Sequence, residues 1–83
     1  MKINEALTKV ENLFEVKLKK YGNCSPKGSL WTATYKAKTG KIFDCNVFSD
    51  TSNENLSFVS LNERGTNFHE KFQNLEELQK KYA

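Results

Sequence analysis

Ser29-Leu30-Trp31-Thr32-Ala33-Thr34-Tyr35-Lys36-Ala37, then Lys38-Thr39-Gly40, then Lys41-Ile42-Phe43-Asp44-Cys45-Asn46-Val47-Phe48, is the stretch that decides the fold. Side chains alternate in character on both sides of the Gly-bearing break, the period-two signature of two strands with one buried face. Trp31, Ala33, Tyr35 and Ala37 share one face of the first strand. Phe43, Cys45 and Val47 share one face of the second.

The turn between them can be derived from parity. A two-residue loop at Thr39-Gly40 would set Tyr35 opposite Asp44 and mix core with solvent, which a half-buried sheet does not tolerate. A three-residue loop pairs Ala37 with Lys41. Trp31 then faces Val47, Ala33 faces Cys45 and Tyr35 faces Phe43, while Thr32 meets Asn46 and Thr34 meets Asp44 on the wet side. Gly40 falls at the left-handed position of a type I turn with a G1 bulge, where glycine is favoured.

Outward from this hairpin, Ile3, Leu7, Val10 and Phe14 recur at helical steps, with Leu13 beside them and Asn4 as the expected N-cap. From Glu15 the period shortens to two, so a strand is expected through Val16 and Leu18 to Tyr21-Gly22-Asn23. Ser49 to Asn55 reads as a polar loop. Leu56 to Leu61 is a further strand, whose inward set is either Leu56 and Phe58 or Val59 and Leu61. Phe68, Phe72, Leu75, Leu78 and Tyr82 match one helix face at every step, and a long closing helix from Phe68 is expected. A short fifth strand before a helix beginning at Leu75 is the alternative, since Asn74 with Glu77 makes its own variant capping box. The expected architecture is α-β-β-β-β-α over residues 1–83: a single α+β domain, a two-layer sandwich with a four-stranded antiparallel meander and both helices on one face.

The totals fit such a domain. Eighty-three residues with 37% hydrophobic and 12% aromatic side chains give a thin core built from a few large residues. The net charge of +3 is carried by many lysines and one arginine, Arg64. Two cysteines, Cys24 and Cys45, do not make the disulfide framework of a small secreted domain. No apolar run approaches the length of a membrane span, and the first residues lack the apolar stretch of a signal peptide. A cytoplasmic protein is expected, with no membrane association.

Catalytic chemistry finds little to work with. His69 is the one imidazole, Cys45 points into the expected core, and the four glycines each sit at a turn rather than in a phosphate loop. Metal coordination needs about three or four ligands at supportive spacing, and this sequence offers no such set. A non-enzymatic protein without a cofactor is therefore expected.

Two surfaces remain. In the derived register Leu30 and Phe48 face each other on the otherwise polar side of the sheet, flanked by Thr32 and Asn46. An apolar cross-strand pair on a wet face is either covered by the Ser49–Asn55 loop or offered to a protein partner. Lys36, Lys38 and Lys41 cluster at the hairpin tip, with Lys17 and Lys19 on the first strand; these make the alternative reading, a nucleic-acid-binding module. Lysines on edge strands also guard against unwanted pairing. The leading expectation is a macromolecule-binding protein of accessory or inhibitor type, of the kind phage and mobile elements encode, acting through protein–protein contact.

Overall fold

The computed structural model describes residues 1–23 and 28–82. The chain runs α1 (Ile3–Phe14), β1 (Lys19–Asn23), β2 (Ser29–Lys36), β3 (Ile42–Ser49), β4 (Leu56–Glu63), β5 (His69–Phe72) and α2 (Leu75–Tyr82). All strand pairs are antiparallel and the sheet order follows the chain, β1-β2-β3-β4-β5. No helix among the described residues is long and apolar enough to cross a membrane.

The hairpin has the register that parity demands. Leu30 faces Phe48, Trp31 faces Val47, Ala33 faces Cys45 and Tyr35 faces Phe43. Ala37 N–H donates to the Lys41 carbonyl at 2.9 Å, and Gly40 sits at φ +91° with its N–H on the Ala37 carbonyl. Cys45 and Val47 are buried. Trp31, Tyr35 and Phe43, expected on the buried face, are only half-buried. Phe14, Tyr35, Phe43 and Phe68 instead form a chain of ring contacts closing the hairpin end, with centroids 4.7, 6.1 and 6.0 Å apart.

Both helices contribute to one core with the inward side chains of β3, β4 and β5: Ile3, Ala6, Val10 and Phe14 from α1, Leu75 and Leu78 from α2. Ala6 and Val10 have no exposed surface, while Leu7 and Leu13 are partly buried against this core. Asn4 is not the cap. The cap position is Lys2, without a side-chain bond, and the Ile3 N–H is taken by the Glu54 carbonyl at 2.8 Å. A neighbouring loop thus supplies the acceptor that a capping side chain would otherwise provide.

Two further expectations are corrected. β1 begins at Lys19, not near Glu15, because Glu11 holds the link back against α1: its carbonyl accepts from Val16 N–H, and its carboxylate accepts from Leu18 N–H at 2.8 Å. The sheet has five strands, not four, and the closing helix begins at Leu75. Residues 69–72 pair with β4, placing Phe72 opposite Val59 and Glu70 opposite Leu61. Phe72 and Leu75 are both buried, one from a strand and one from a helix, so their spacing of three mimicked a continuous helix. The paired edge of β4 outweighs that local periodicity, and Asn74 Oδ1 caps α2 by accepting from Glu77 N–H at 3.0 Å.

The β4 ambiguity is settled by a bulge. Phe48 pairs with Phe58 but Ser49 pairs with Leu56, so Ser57 is the extra residue and the side-chain phase shifts there. Leu56, Val59 and Leu61 all pack toward the helices, and Phe58 alone points away.

Asp50 organises the loop between β3 and β4. Its Oδ1 accepts from the Ser52 hydroxyl at 2.6 Å and from the N–H groups of Ser52, Glu54 and Asn55, while Oδ2 accepts from the Asn55 side chain. These bonds, the Ser52 hydroxyl foremost, hold the carboxyl down at about 2 despite a desolvation penalty. Since the folded value lies below the ordinary 3.8, the loop's contribution is complete above that value and is lost as pH falls from there through about 2. In urea unfolding followed against pH, Asp50→Asn is expected to be less stable than the parent at neutral pH. The gap should close between about pH 4 and pH 2; a gap independent of pH would contradict this role.

Candidate functional site

Among the described residues both helices lie on one face of the sheet, and the other face has no helix over it. The side chains that alternate outward form four rows across the strands, the last of them Lys36 with Ile42. Leu30, Phe48 and Phe58 make the first; Thr32, Asn46, Ser60 and Lys71 the second; Thr34, Asp44, Asn62 and His69 the third.

The first row is an apolar cluster. Phe48 and Phe58 stack with centroids 4.4 Å apart and planes 19° from parallel, and Leu30 lies opposite Phe48 on β2. Such a pair contributes about 0.5–1.5 kcal/mol beyond its buried area. The Lys71 ammonium stands 4.2 Å from the Phe58 centroid, so Phe58 is flanked by an aromatic ring from β3 and a cation from β5. All three apolar residues stay half-buried.

The β3–β4 loop does not cover this cluster. Asn53 Oδ1 accepts from the hydroxyls of Ser29 and Ser49, which point to the helix side, and residues 54–56 bond to residues 1–3. The loop is tied to the opposite face.

The third row is electrostatically closed. Arg64 reaches back from the β4–β5 turn and donates from Nε and Nη2 to Asp44, the Nη2 bond being 2.9 Å, and from Nη2 to the Thr34 hydroxyl at 3.3 Å. Those bonds and the Asp44 charge raise the guanidinium above its ordinary value. Asp44 is half-buried rather than open to water. His69, expected at a helix start, stands in β5 with Nδ1 against Asn62 Oδ1.

The lysines do not gather into one patch. Lys19, opposite Thr32, and Lys36, opposite Ile42, lie on the open face. Lys38 is in the turn, Lys41 lies 3.5 Å from Glu63, and Lys17 is exposed in the link before β1. Lys20 turns to the helix side, 5.7 Å from the Trp31 ring.

The four residues singled out from sequence, Leu30, Phe48, Thr32 and Asn46, are thus together on the open face. Phe58 and Lys71 belong with them and were not anticipated. Once Val47 and Cys45 were placed inward, Val59 and Leu61 opposite them would have left Phe58 facing Phe48; that cross-strand constraint was the available signal. Lys71 carried none while its segment read as helix.

Cys45 is fully buried, and burial pushes its thiol up to about 12, far from a nucleophile's range. Cys24 lies outside the described residues. Among the described residues no three His, Cys, Asp or Glu side chains group closely enough to hold a metal ion. No family model, curated protein or solved structure matches this chain.

Proposed function

We propose that the protein is a non-enzymatic accessory or inhibitor protein that binds another protein through the open face of its sheet. The observation that carries this reading is the Leu30–Phe48–Phe58 cluster, three apolar side chains together on a face that no helix among the described residues covers. An apolar centre with polar side chains around it is the common anatomy of a protein interface. Here Thr32 and Asn46 adjoin the cluster, and Lys19, Lys36 and Lys71 stand as rim charges.

The alternative, nucleic-acid binding through Lys36, Lys38, Lys41, Lys17 and Lys19, draws less support. Base stacking needs free ring faces, and Phe58 is flanked from both neighbouring strands. Arg64 is committed to Asp44, and Lys41 to Glu63.

Burying the remaining surface of Leu30 and Phe48 supplies about 1 kcal/mol each, since both are already half covered. Leu30→Ser with Phe48→Ser is therefore expected to weaken binding to a captured protein partner by a factor of about 30. Affinity capture from host extract followed by titration measures this. Undiminished binding in a folded double variant would overturn the reading. Binding that collapses between low and moderate salt, and that is lost when Lys36, Lys38 and Lys41 become Gln, would put nucleic acid in its place.

A further inference from the structure

Beyond the open face, a different surface has unfilled hydrogen-bonding capacity. β2 runs to Lys36, but β1 pairs with it only as far as Thr32, which lies opposite Lys19. The Ala37 N–H bond to the Lys41 carbonyl fixes the alternation along β2. In an antiparallel ladder successive residues direct their main-chain groups to opposite neighbours, so Tyr35 and Ala33 serve β3. Thr34 and Lys36 therefore direct both N–H and C=O toward the β1 side, where no strand among the described residues lies opposite them.

The chain that would have filled this place is held elsewhere. Glu15 turns at φ 54°, and Val16 and Leu18 donate to Glu11 of α1. A cleft of about 520 Å³ opens beside the β2 edge as a result. Leu13, Val16 and Tyr35 give it an apolar patch within a more polar lining, to which Lys36 and Lys38 also belong.

We propose that the β2 edge at Thr34 and Lys36 is a strand-addition site for an extended segment of a partner protein, with acidic and apolar residues in alternation. Donors and acceptors repeated at every second residue of a strand are matched by another strand. The apolar patch of Leu13, Val16 and Tyr35 favours an aliphatic side chain on the inward positions. Exposed Lys36 and Lys38 against one acidic lining residue, Glu15, favour acidic residues on the others. An edge left free in this way is also a liability for self-association unless it is occupied.

The test uses the full chain, labelled with nitrogen-15 and titrated with a capped hexapeptide alternating glutamate and valine. The Thr34 and Lys36 amides are expected to shift and to exchange more slowly with water, with Leu30, Phe48 and Phe58 unmoved. Replacing glutamate by lysine in the peptide should weaken binding by about tenfold or more, and Lys36→Glu with Lys38→Glu should reverse that preference. N-methylation along one edge of the peptide should abolish binding, and along the other edge leave it intact. Thr34→Pro, which removes no β2–β3 bond, should also abolish it. Absence of any response at these two amides at millimolar peptide, or binding indifferent to N-methylation, overturns the proposal. Protection of the same amides that grows with protein concentration alone would make a second copy the occupant and overturn it equally.

Discussion

Leu61→Ala is expected to lower the unfolding free energy by about 3–4 kcal/mol, the range for emptying a buried leucine site. Leu61 is 1% exposed and sits on β4 between Cys45 of β3 and Glu70 of β5, with its side chain in the layer shared with the helices. Neighbouring strands on both sides restrict collapse around the vacated volume. A small domain has about 5–15 kcal/mol in total, so this one truncation removes a large share. The urea midpoint should fall with the slope unchanged. Phe58→Ala removes a larger side chain three residues away on the same strand. It should nevertheless cost clearly less, because Phe58 faces the open side and is only half-buried. Equal losses at the two positions would mean that the sheet buries both faces.

Gly28→Ala is expected to cost about 3 kcal/mol or more. Gly28 has φ +104°, a region that carries about 1–3 kcal/mol of strain for a residue with a side chain. A Cβ there would lie 2.3 Å from the Asp50 carbonyl oxygen and 2.8 Å from that of Ser49, so main chain would have to move. The same displacement would break the Ser29 N–H bond to Ser49 Oγ, 2.8 Å in the parent. A thermal melt measures the loss, and hydrogen exchange at the Ser29 amide locates it. A melting curve like the parent's would show that the β2 entry is not packed against the β3–β4 loop. Gly40→Ala has nothing within 4 Å of its Cβ and should cost only the conformational strain.

How far the sequence could be read follows from where local and long-range signals agreed. In the central hairpin, alternation on both strands and the Gly40 turn demanded the same register, so every pair from Leu30–Phe48 to Tyr35–Phe43 was legible. That register alone brought Leu30, Phe48, Thr32 and Asn46 together. At Ser57 a bulge shifts the phase, which no short window records, so the Leu56–Leu61 strand read equally well either way and Phe58 was missed. Residues 68–74 were misread for another reason. Their apolar spacing fits a helix, and only the need of β4 for a partner on its far edge turns 69–72 into a strand. The misplaced Asn4 cap is of the same kind, since its substitute, the Glu54 carbonyl, comes from 51 residues along the chain.

Side-chain footprinting of the complex would locate the proposed protein partner on the open face. Hydroxyl-radical oxidation would be compared in the free protein and in the protein saturated with its captured partner. Leu30, Phe48 and Phe58 are expected to lose reactivity on binding, while Met1 and Tyr21, exposed at 51% and 78%, keep theirs. Protection of Tyr21 or Met1 with the three open-face residues unchanged would place the contact elsewhere and contradict the account.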